Sequence, residues 1–83
     1  MSYRVNFFDQ NNHDSYDIVL PERKYKRLCE ELIYRQDGED IIVTLVGVTE
    51  NGEFIQKDEM IGGLWEDEYY EIDRRLKILE NYK

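Results

Sequence analysis

The chain has 83 residues, is 41% hydrophobic and 13% aromatic, and carries one cysteine and a net charge of −8. That length suits one small domain with a modest core; the composition excludes wholesale disorder and the single cysteine an internal disulfide. The acidity argues against an ordinary phosphate-binding surface, which needs clustered Lys and Arg, and no apolar run approaches the ~18 residues of a membrane helix.

Met1-Ser2-Tyr3-Arg4 runs straight into a strand-like pattern with no signal or transit peptide, so a cytoplasmic protein is expected. Tyr3, Val5 and Phe7 alternate with Arg4, Asn6 and Phe8, the period of a half-buried strand. The polar stretch from Asp9 to Asp14 breaks the pattern, and Tyr16-Asp17-Ile18-Val19-Leu20 resumes it, which predicts a hairpin. The loop imitates a calcium loop only at Asp9 and Asn11. His13 at the fifth ligand position, Asp14 in place of the turn glycine and Leu20 in place of the bidentate Glu exclude it.

Pro21 suits a helix start, and Tyr25, Leu28, Cys29, Leu32 and Ile33 follow at the spacing of one buried stripe. The stripe makes Cys29 a small core filler rather than a nucleophile. Arg23, Lys24, Lys26 and Arg27 crowd the opposite face, against the preference of the helix dipole. Asp37-Gly38-Glu39-Asp40 is expected to end this helix in a flexible turn.

The run from Ile41 to Ile55 organises the chain. Asn51-Gly52 is the pair that best tolerates the two positive φ angles of a type I′ turn, and Ile, Val, Thr and Phe flank it. A two-residue loop sets Val48 opposite Ile55 and Thr49 opposite Phe54. Strict alternation then puts Ile42, Val46, Val48 and Ile55 on one face and Ile41, Val43, Leu45 and Phe54 on the other. Both faces are apolar, so an interior strand covered on both sides is expected near its start.

Beyond it, residues 56–59 turn polar, Gly62-Gly63 marks a bend, and Leu64 is expected to open a last helix. Trp65, Tyr69, Ile72, Leu76 and Leu79 form its buried seam, leaving Tyr70 and Ile78 off it. The predicted architecture is α+β, in the order ββαββα: a four-stranded, mainly antiparallel sheet with two helices on one face.

Catalytic chemistry is not apparent. His13 and Ser15 share a loop without an orienting third group, and one Cys with one His does not make a zinc site. Asp67 and Glu71, one helical turn apart, are better explained as a solvated face than as a magnesium site. No enzyme, cofactor or metal is expected. In size and acidity alone the chain resembles small inhibitors encoded by mobile genetic elements.

What asks for explanation is the stretch of residues 58–73, which holds seven acids and no Lys or Arg. Asp58, Glu59, Glu66, Asp67, Glu71 and Asp73, with Tyr70 as the free aromatic, form the candidate partner-binding surface. Fixed carboxylates beside an aromatic anchor imitate a line of phosphates and attract a basic groove. The expected partner is a nuclease or other nucleic-acid-binding protein, with no direct nucleic acid and no membrane. The alternative is a homo-oligomeric assembly protein: a homodimer that covers the sheet face left open by the helices.

Overall fold

The computed structural model of the chain describes residues 1–82. The elements are β1 (Ser2–Asp9), β2 (Asp14–Pro21), α1 (Glu22–Leu32), β3 (Ile41–Glu50), β4 (Glu53–Leu64) and α2 (Glu66–Leu76), followed by a 3-10 turn at Leu79–Asn81. The four strands make one antiparallel sheet in the order β2-β1-β3-β4. This is the predicted α+β, ββαββα architecture. Among the described residues no helix is long and apolar enough to cross a membrane.

One core lies between the sheet and both helices. Val5 and Phe7 of β1, Ile18 and Leu20 of β2, and Ile41, Val43, Leu45 and Val48 of β3 meet Leu28 and Leu32 of α1 and Tyr69, Ile72 and Leu76 of α2. Tyr25 extends this layer by stacking on Tyr3, ring centroids 4.0 Å apart and nearly parallel. At the other end Tyr16 and Tyr69 share a hydroxyl–hydroxyl hydrogen bond beside Phe7. Burial pushes both phenols upward; for Tyr69 its bond to Tyr16 adds to the shift.

Asn51 and Gly52 take φ of 52° and 79°, and Glu50 pairs with Glu53, as the two-residue turn requires. The alternation along β3 does not hold throughout. Arg4 pairs with Gly47 and Val5 with Leu45, so Val46 is an extra residue, a β-bulge. Past it, Val48 joins Ile41, Val43 and Leu45 under the helices, with Ile55 across from it on the same side. Phe54 changes company too, lying on the open face beneath Arg4, whose guanidinium carbon is 5.5 Å from the ring centroid. The central strand is therefore covered by helices on one face only.

β4 also differs from expectation. Instead of bending at Gly62-Gly63 and giving way to a helix at Leu64, the strand runs on through the polar residues 56–59 to Leu64. It absorbs irregularities at two places, one of them beside Asp58, which has a φ of 54°. Gly62 and Gly63 serve close approach: a Cβ on Gly62 would lie 2.7 Å from Leu32 of α1, and one on Gly63 would lie 2.5 Å from the Gly38 carbonyl oxygen. The 35–40 segment is correspondingly a packed rail along β4, with Gly38 buried, rather than a flexible turn.

The helix seams are narrower than the apolar spacing implies. In α1, Leu28 and Leu32 are buried, while Ile33, just past the helix, is 61% exposed. In α2 the seam is Tyr69, Ile72 and Leu76. Trp65 precedes the helix in extended conformation and is 43% exposed instead of buried. Lys77 stops the helix with a φ of 56°, and the reversal turns Ile78 into the core and Leu79 outward.

Candidate functional site

α1 and α2 run antiparallel across the sheet. Lys24, near the start of α1, donates to the Lys77 carbonyl and to Asn81 at 3.2 and 3.0 Å, whereas Arg35, beyond its end, lies 3.7 Å from Glu68 in the first turn of α2. Opposite ends of the helical layer consequently carry different charge. Pro21, Arg23, Lys24 and Arg27 line a hollow of about 210 Å3 at one end. Asp40, Glu66, Asp67 and Tyr70 line a wider, shallow depression of about 430 Å3 at the other.

The acidic depression is built by the junction of β3, β4 and α2. Asp40 sits at the start of β3, where its N–H donates to the Leu64 carbonyl at 3.0 Å and its own carbonyl accepts from Gln10 N–H at 2.9 Å. Its carboxylate accepts the Glu66 N–H at 2.7 Å and Asn11 Nδ2 at 2.8 Å. One of the orphan N–H groups at the α2 N-terminus is thereby satisfied from a residue far away in sequence. Glu68 bends back to accept the Trp65 N–H at 2.9 Å, the carboxylate half of a capping box. Three acids in the first turn also sit where the helix dipole favours negative charge.

The acids of residues 58–73 do not form one patch. Glu66, Asp67 and the half-exposed Tyr70 come together, joined by Asp40, which lies outside that stretch. Among the described residues none of these three acids is in an ion pair. Glu71 accepts Arg75 Nη1 at 2.8 Å, and that contact holds its carboxyl below the usual range. Asp73 accepts the Leu79 N–H at 2.8 Å and closes the reversal after α2. Asp58 and Glu59 stand on β4, roughly 15–20 Å back along the strand from its end at Leu64 at the usual rise per residue.

No protein-family model matches the chain, and neither a curated protein nor a solved structure is significantly similar to it.

Other candidate groups are placed as follows. His13 lies in the β1–β2 turn with a φ of 57°, and Ser15 accepts Asn6 Nδ2 at 2.9 Å on β2. Cys29 is half-buried beside the Tyr25 hydroxyl, which burial and the adjacent thiol push upward. Asp9 accepts the Asn11 and Asn12 N–H groups at 2.9 and 3.2 Å, an Asx turn that gives the loop its shape. Among the described residues no three His, Cys, Asp or Glu side chains are grouped to hold a metal ion.

Sequence reasoning missed Asp40 and Trp65. The signal for Asp40 is topological: a carboxylate preceding the central strand reaches the adjacent helix start only once β3 and β4 are paired. The signal for Trp65 is the residue before it, since Leu64 completes a strand and leaves Trp65 to make the strand-to-helix turn.

Proposed function

We propose that the chain is a protein-binding module, an inhibitor or regulator whose anionic end occupies the basic nucleic-acid-binding groove of a partner protein. The observation that carries this reading is the grouping of Asp40, Glu66 and Asp67, none of them ion-paired among the described residues, around the exposed ring of Tyr70. Carboxylates held by a helix start and a strand start keep fixed spacing, so they replace phosphates without a large ordering cost. Tyr70, and Trp65 next to Glu66 in sequence, supply the aromatic anchors that protein interfaces favour. Glu71 and Asp73 contribute less, being engaged within the fold, and Asp58 and Glu59 reach a different part of the partner. In this reading the protein works in the cytoplasm without catalysis or cofactor.

Capture of partners from the native cell, followed by competition with nucleic acid, tests it. Reversing charge at Glu66 and Asp67 together is expected to weaken capture at least tenfold, about 1.4 kcal/mol, with the fold unchanged by circular dichroism. Tyr70→Ala is expected to cost a similar amount. Undiminished capture by the double variant, or a complex in which nucleic acid still fills the partner's groove, overturns the reading.

A further inference from the structure

The outer edge of β4 is treated differently along its length. Towards Leu64 the 35–40 rail fills it: Gly38 N–H donates to the Gly63 carbonyl at 3.0 Å, and Gly63 N–H donates to the Arg35 carbonyl at 3.3 Å. Along residues 53–57, among the described residues, no backbone group bonds to that edge, and every residue there is exposed. The turn decides which groups are free. Glu50 and Glu53 close a two-residue hairpin and so exchange N–H···O bonds, after which the antiparallel ladder alternates. Ile55 therefore directs its N–H and C=O inward at Val48, while Phe54 and Gln56 direct theirs outward.

We propose that this edge pairs with the same edge of a second copy, antiparallel, about a two-fold axis through Ile55. Phe54 then faces Gln56 of the second copy, and each such pair exchanges both N–H···O=C bonds. On the opposite side of the strands Glu53 meets Lys57 of the second copy, Ile55 meets Ile55, and Lys57 meets Glu53. Neighbouring axes lose this match. Centring on Gln56 sets Glu53 against Glu59, and centring on Lys57 sets two lysines face to face. An axis midway between residues brings outward groups against inward ones. The irregularity that takes in Lys57 and Asp58 begins just past Gln56 and so limits the contact to residues 53–57. The two-fold contact uses the β4 edge of each copy against itself, giving a closed dimer rather than a fibre. A strand pair this short falls below the roughly 1,000 Å2 of stable interfaces, so association is weak and reversible.

Sedimentation across a micromolar to millimolar series tests this, in moderate salt to screen the −8 carried by each copy. The wild type is expected to pass reversibly from one chain mass towards two. Glu53→Lys and Lys57→Glu are each expected to weaken association about tenfold, since each turns two attractive cross-strand pairs into repulsive ones. An equimolar mixture of these two variants is expected to associate like the wild type, because every pair between unlike chains is again Lys with Glu. Gln56→Pro removes an outward N–H that the single chain does not use and is expected to abolish association with the circular dichroism unchanged. A wild type that stays monomeric throughout overturns the proposal. So does a mixture no better than its parts, or a dimer that survives Gln56→Pro, which would put the contact on the open sheet face. If Gln56→Pro does not fold, the mixing experiment decides alone.

Discussion

Arg75 grips Glu31 through two parallel bonds, Nε and Nη2 at 2.9 and 2.8 Å, and reaches Glu71 with its remaining nitrogen at 2.8 Å. Arg35 adds a bond to Glu31 at 3.1 Å, so a single carboxylate ties α1 to α2. The Arg75 contact holds Glu31 below its ordinary value of 4.5. A depressed folded-state value means that the unfolded chain binds the proton more readily. The resulting stabilisation is complete above about pH 4.5 and drains away as the pH falls through the lower, folded value. Glu31→Gln is therefore expected to flatten the acid limb of stability, read as urea midpoints at a series of pH values. Parallel curves for variant and wild type would refute the assignment. Exposure to solvent keeps the effect modest.

Among the elements, the rail along β4 is the least tolerant. A Cβ on Gly38 would stand 2.2 Å from the Leu64 carbonyl carbon, backbone against backbone, with no flexible side chain to yield. Gly52 has a positive φ of 79° but open space around it. Gly38→Ala is expected to cost about 2–3 kcal/mol and Gly52→Ala about 1 kcal/mol, compared by chemical denaturation. Equal costs would mean that the rail shifts freely. Much of the fold was legible because its signals are local. Asn51-Gly52 with its flanking Val, Thr and Phe announces a hairpin, and the strip Tyr69, Ile72, Leu76 announces a helix face. The departures have non-local causes. An extra residue at Val46 reverses which side chains face the helices, yet a period-two pattern contains no mark of it. Gly62-Gly63 reads as a bend until Leu32 and Gly38 are known to press on it. Three of the four residues that line the candidate depression, Glu66, Asp67 and Tyr70, were legible from charge and helical spacing. Asp40 was not, because only strand pairing brings it to the α2 start.

At the scale of the whole molecule, antiparallel helices place the cationic hollow and the anionic depression at opposite ends. Under the proposed function, such a charge distribution is expected to orient a basic partner towards the Glu66 end before contact, a preference that should weaken as salt rises. The strand order β2-β1-β3-β4 has a further consequence, for the way the chain acquires its structure. Two hairpins, β1–β2 and β3–β4, close locally, and among the strand pairings it is the β1–β3 seam that joins residues far apart, such as Phe7 with Val43. Local hairpins form quickly, whereas the seam must wait for a long loop to close. Val43→Ala is expected to act mainly by slowing folding in stopped-flow traces, and Tyr82→Ala, which removes a ring 5.1 Å from Tyr16 at the periphery, mainly by speeding unfolding. Until the seam forms, the β3 run Ile41-Ile42-Val43-Thr44-Leu45-Val46 offers one apolar, uncharged edge to any other chain. Refolding yield should therefore fall as protein concentration rises, through aggregation of the half-built sheet rather than of the finished one.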